Sequence, residues 1–136
     1  MEVPVARVVA ALLGVLLLTS AASVCAQDLS SDQQIAQTAS VRNVKLAGGV
    51  VSGALVNHSS KLLRNVRVLI RYTWIWKNER HPGSDNPAQA EYVTFSDEVP
   101  ARGTLRFTHH INPPLPERAD GRFTVSVDVI SFTEVG

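Results

Sequence analysis

Between Leu63 and Lys77 the chain alternates with period two. Val66, Val68, Ile70, Tyr72, Trp74 and Trp76 stand on one parity, and Arg67, Arg71, Thr73 and Lys77 on the other. Successive side chains of a strand point to opposite faces, so this predicts a long strand with one apolar face. Shorter stretches repeat the pattern. Ser40–Leu46, Val50–Asn57, Gln89–Val99, Thr104–Ile111 and Arg122–Thr133 each read as strands, with Phe123, Val125, Val127 and Val129 forming the apolar side of the last. Between them lie segments that cannot continue a ladder: His58-Ser59-Ser60-Lys61, the proline- and glycine-bearing stretch Asn78–Pro87, Pro100-Ala101-Arg102-Gly103, and Asn112-Pro113-Pro114-Leu115-Pro116.

No stretch of comparable length in this region has a 3.6-residue period. Strands with one apolar face and no helix to cover it bury that face by packing sheet against sheet. The expectation is an all-β, immunoglobulin-like antiparallel β-sandwich of about six to seven strands over residues 40–136, with a small barrel as the alternative. Val68 and Val127, central on their alternating strands, are expected core residues. A hairpin register that sets Ile70 against Phe95 also sets Val66 against Val99, Arg67 against Glu98 and Val68 against Asp97.

The N-terminus follows a different pattern. Residues Val8 to Leu18 carry no polar side chain, Arg7 precedes them, and small and polar residues follow. This is the layout of a secretory signal peptide over residues 1–26. Val24 and Ala26 occupy the positions of a small-residue cleavage site, so the mature chain is expected to begin at Gln27. Two alternatives are an uncleaved membrane anchor over Val8–Ala26 and a lipoprotein acylated at Cys25, although Val24 is a poor residue to precede an acylated cysteine. Residues 27–39, rich in Gln, Ser and Asp, read as a flexible or weakly helical leader.

Removal of residues 1–26 leaves 110 residues, enough for one hydrophobic core. Cys25 is the sole cysteine and departs with the signal, so packing and not disulfides must hold the domain. The expected location is therefore a bacterial periplasm or the secreted medium. Loss of Arg7 and Glu2 leaves twelve basic and eleven acidic side chains, which argues against nucleic acid as a partner. After cleavage no membrane insertion is expected.

The segment Gly53-Ala54-Leu55-Val56-Asn57-His58-Ser59, followed by Leu63-Arg64-Asn65-Val66-Arg67-Val68-Leu69-Ile70-Arg71-Tyr72, resembles the opening of FxLYD-type domains. Pro100-Ala101-Arg102-Gly103 and Leu105-Arg106-Phe107 stand in for that family's later turn and Phe-bearing strand. The resemblance implies an immunoglobulin-like binding or spacer module of the bacterial envelope. It departs after Tyr72, where the chain continues through Thr73-Trp74-Ile75-Trp76.

No residue spacing signals catalysis, a cofactor or a metal. The four histidines are His58, His81, His109 and His110; His109 and His110 are adjacent and so face opposite sides of their strand. No His or carboxylate spacing matches a zinc or calcium loop, and no nucleophile motif is present. Arg64, Arg67, Arg71 and Lys77 read as a solvated outer face before an anion-binding stripe.

Trp74 and Trp76 carry the most information. A fifteen-residue strand is roughly 50 Å long at about 3.4 Å per residue, so its far end should overhang the core or bend at a bulge. Either the core buries both tryptophans, or one or both form an exposed contact patch with Arg80 and His81, contributing little to folding. The leading functional expectation is a non-catalytic envelope module that contacts a protein partner through this hairpin or a sheet edge. The rival is a carbohydrate-binding module using the same aromatics; an enzyme comes third.

Overall fold

The computed structural model describes residues 25–136. The signal peptide, apart from its last two residues, lies outside the described residues, as does the anchor alternative except at those residues. The elements are α1 (Cys25–Thr38), β1 (Ala39–Ala47), β2 (Val50–Asn57), β3 (Leu62–Trp76), β4 (Gln89–Phe95), β5 (Thr104–His110) and β6 (Gly121–Val135). Six strands form two antiparallel sheets, ordered β1-β2-β5 and β4-β3-β6, that pack face to face as a β-sandwich. Pairing the second strand with the fifth and the third with the sixth is the immunoglobulin relation.

Of the two readings of the leader, flexible or weakly helical, the segment takes the helical one as the 14-residue α1. Ile35 is half-buried, and together with Ala36 it lines a recess against Ala39, Val127 and Val129. Contact with the seam between β1 and β6 gives this polar sequence a packing partner that its composition does not announce. Ala39, the last residue of the expected leader, is buried and opens β1.

The inward parity of β3 is as read from the sequence. Val66, Val68, Ile70 and Tyr72 are at most 1% exposed, and they meet Val51, Leu55, Phe107 and Val127 in one core. Full burial of such side chains contributes about 1.5–3 kcal/mol each. The β3–β4 register, however, differs by four residues from the expected hairpin: Val66 faces Phe95, Val68 faces Val93 and Ile70 faces Glu91. The observed register removes Asp97 from opposite Val68 and sets valine against valine. Val99 bridges Leu63 instead, and Glu98 pairs with Arg64 at 2.6 Å, so Arg67 is left to lie over the Tyr92 ring, 4.7 Å from its centroid.

Two asparagines at positive φ mark irregularities absent from a strict period-two reading. Asn65 (φ 49) sits where β3 bulges against β6, and Asn43 (φ 56) where β1 bulges against β2. Asparagine tolerates the left-handed region better than most residues, and a bulge shifts the parity of everything beyond it. Opposite the β1 bulge stands Gly53, where a Cβ would lie 2.9 Å from the Phe107 ring. Glycine there lets Phe107 cross β2 and pack against Phe95, the rings tilted and their centroids 4.8 Å apart.

Candidate functional site

β3 runs past β4, whose ladder ends at Tyr72–Gln89. It continues with β6 alone, Trp74 opposite Phe123 and Trp76 opposite Gly121. The far end is therefore a two-stranded ribbon, as its length required. It is not bare. The loop 77–88 and the segment 111–120 fold over it and decide the fate of the two indoles.

Trp74 is 8% exposed. It packs on Phe123 at 4.7 Å and edge-on to Trp76 at 5.7 Å, an arrangement aromatic rings favour. Its Nε1 has no hydrogen-bond partner among the described residues. Core burial thus holds for Trp74, and the alternative, a ribbon end that contributes little to folding, is corrected there: the chain segments flanking the ribbon, too polar to bury an indole by composition, do so with a guanidinium.

That guanidinium belongs to Arg118, which sits 5.1 Å from the Trp74 ring centroid and 5.3 Å from that of Trp76. It donates two hydrogen bonds to Asp85, at 2.5 and 3.2 Å, and two to Asp120, at 2.9 and 2.6 Å. One side chain thereby ties both flanking segments to the aromatic pair. The hydrogen bonds from Arg118 hold the carboxyls of Asp85 and Asp120 below the usual carboxylate range, and the two carboxylates raise the pKa of Arg118 in turn. A depressed carboxyl pKa favours the fold above the unfolded value, so the clamp is complete at neutral pH and is lost only as pH falls through those lowered values.

Trp76 is half-buried and lines a recess of about 560 Å³ with Lys77, Asn78, His81, Gly83 and Asp120. A Cβ on Gly83 would fall 2.6 Å from the Trp76 ring, so glycine is required for the loop to close on the indole. Of the four residues singled out from the sequence, Trp76 and His81 meet in this recess, Trp74 supports it from below, and Arg80 is exposed outside its lining. Arg118, Asp85 and Asp120 escaped the sequence reading. Arg118 and Asp120 share one irregular segment, Asp85 lies 33 residues from Arg118 in another, and no periodic pattern couples them.

A second polar cluster lies between the sheets. His109 Nε2 contacts Glu91 Oε1 across the β4–β5 seam, both side chains largely buried, while His110 faces outward and is exposed. Tyr72 stands beside Glu91 with its hydroxyl buried and without a hydrogen-bond partner among the described residues. Burial, and secondarily the charge of Glu91, push the Tyr72 phenol well above its ordinary value. The histidine meets a glutamate in an inter-sheet tie.

Among the described residues no group of three or more His, Cys, Asp or Glu side chains could hold a metal ion, and no helix is long and apolar enough to cross a membrane. No family model, no curated protein and no solved structure matches this chain.

Proposed function

We propose that this protein is a non-catalytic binding or assembly module exported to the bacterial envelope, and that it contacts a protein partner at the ribbon end around Trp76. The observation that carries this reading is the division of labour between the indoles. Trp74 is buried under Arg118, whereas Trp76 shows part of its ring in a recess whose walls the Arg118 clamp holds in place. A rigid, partly exposed tryptophan beside a recess is the kind of anchor that dominates protein interfaces, and preorganisation lowers the entropy lost on binding. Exposed Arg80 and His81 supply the polar rim. The FxLYD-like strand pattern is in keeping with such a module.

A sugar-stacking platform using both tryptophans fits less well, because Trp74 is buried and only part of the Trp76 ring meets solvent.

A photo-crosslinking amino acid placed at Glu79, exposed beside the recess, tests the reading in the producing cells. The expected result is one discrete protein adduct that disappears when Trp76→Ala is added. A smear of adducts indifferent to Trp76, or none, would remove the ribbon end as a partner site.

Export carries its own expected outcome. The intact mass of the exported protein should correspond to a chain starting at Gln27, which retains all but two residues of α1. A retained Met1 or an acyl chain on Cys25 would overturn the export route proposed.

A further inference from the structure

The outer face of the β1-β2-β5 sheet carries a feature unrelated to the ribbon end. Strand register arranges its residues in four rows: Ser40, Val56 and Thr104; Arg42, Ala54 and Arg106; Lys45, Ser52 and Thr108; Ala47, Val50 and His110. The twelve positions contain three permanent cations and no carboxylate. The β1 bulge is what places Lys45 on the same face as Arg42, since residues three apart in a regular strand face opposite ways.

The shape follows from the columns. β2 supplies only small or short side chains, Val56, Ala54, Ser52 and Val50, while the flanking strands carry Arg42 and Lys45 on one side and Arg106 on the other. Neighbouring strands lie about 4.8 Å apart, so the two walls stand roughly 10 Å from one another. Ala54 is 9% exposed although it points outward, which shows how far the flanking side chains rise above it. Around it lies a recess of about 560 Å³ lined by Asn43, Lys45, Ser52, Ala54, Arg106 and Thr108, with Gly53 and the edge of the core ring of Phe107 at its floor. Arg42, Lys45 and Arg106 are exposed and form no ion pair among the described residues.

On the opposite sheet, by contrast, Arg64 is paired with Glu98 and Arg67 lies on Tyr92. In a chain of nearly balanced charge, three unneutralised cations around one trough are a local field that attracts an anionic chain.

We propose that this trough binds a linear acidic polysaccharide along β2, its carboxylates or sulfates met by Arg42 and Lys45 on one wall and Arg106 on the other. Asn43, Ser52 and Thr108 offer hydrogen bonds to sugar hydroxyls. Other polyanions fit the face less well. Single-stranded nucleic acid is held by aromatic stacking platforms, but the twelve positions include no Phe, Tyr or Trp, and the one aromatic ring that lines the recess, Phe107, is 6% exposed and belongs to the core. Anionic membranes take up an inserted apolar side, and the one exposed large hydrophobic residue among those described, Tyr92 at 61%, lies on the other sheet.

The test titrates the exported protein with polygalacturonate and dextran sulfate, with uncharged dextran, oligothymidylate and phosphatidylglycerol vesicles as comparisons. One or both acidic glycans should bind, and dextran should not. In the double variant Arg42→Gln, Arg106→Gln binding should weaken at least about tenfold, and the log–log salt slope should fall by about two, as expected for two lost charge contacts. The pair Arg67→Gln, Arg71→Gln on the opposite sheet should change binding less than about twofold. Exposed substitutions of this kind shift stability by only about 0.5 kcal/mol, so unchanged melting certifies the fold of each variant.

Failure of both acidic glycans to bind would overturn the proposal. So would equal weakening by the two double variants, or tighter binding of oligothymidylate or vesicles than of either glycan.

Discussion

Replacing Trp74 with alanine is expected to destabilise the domain by about 3–5 kcal/mol, the range for a buried aromatic truncated to a methyl group. The indole is 8% exposed and joins three groups that otherwise have little to rest on: Phe123, Trp76 and the Arg118 guanidinium. Its removal opens a cavity where the sandwich is only two strands wide, and the clamp above loses one of its two rings. Trp74→Phe should cost far less, because it keeps an aromatic in place and removes an indole N–H that is buried without a partner, a group whose burial costs about 1–3 kcal/mol. Urea melts of the two variants check this. A Trp74→Ala midpoint equal to the parent's would mean that the ribbon end does not contribute to folding.

Asn57→Ala is the second substitution expected to cost several kcal/mol. Asn57 is 1% exposed, the one polar side chain fully inside the core among the described residues. Its amide nitrogen has two hydrogens for three carbonyls: Lys61 at 2.7 Å, Pro100 at 3.0 Å and Val99 at 3.2 Å. Its Oδ1 accepts from the backbone N–H and the hydroxyl of Ser59. One side chain thus joins the turn after β2 to the turn before β5, two connections that pass between the sheets. Alanine would orphan several backbone groups at once, at about 1–3 kcal/mol for each one left buried and unpaired, so a total near 3 kcal/mol is expected. Asn57→Asp should be no milder, since a carboxylate cannot donate to the three carbonyls. Chemical denaturation of both variants gives the answer, and a loss below about 1 kcal/mol would show that the turns close without this residue.

The sandwich was legible because its core strands keep parity. From Val66 to Tyr72, and from Phe123 to Val129, apolar residues recur at every second position, and one buried face leaves few alternatives. Register was harder. A slip of four residues leaves every side chain on its face, so the alternation of β3 and β4 could not separate Val66–Phe95 from Val66–Val99; the clash of Val68 with Asp97 was the one available clue. The α1 helix was legible only as a weak tendency, because its stability comes from the β1–β6 seam and not from its own polar sequence.

The two bulges at Asn43 and Asn65 were hidden for another reason. Each breaks parity within a strand, and Asn43 thereby moves Lys45 to the outer face beside Arg42. Arg106 joins them only through the pairing of β2 with β5, which are separated along the chain by β3 and β4. At the ribbon end the sequence pointed to Trp74 and Trp76 but not to Arg118, whose partners Asp85 and Asp120 lie in loops without periodicity. Side-chain clamps between irregular segments leave no mark on local patterning, and here the clamp decides which indole meets solvent.

Because the chain has two tryptophans, the most direct test of the split between a structural and a contact tryptophan is acrylamide quenching of single-tryptophan variants. Trp74→Phe leaves Trp76 as the sole indole, and Trp76→Phe leaves Trp74. Trp76 emission is expected to be quenched several-fold more steeply and to lie further to the red than that of Trp74, since solvent reaches the recess but not the buried Trp74 ring. Equal quenching of the two, or a Trp74 more accessible than Trp76, would contradict the account.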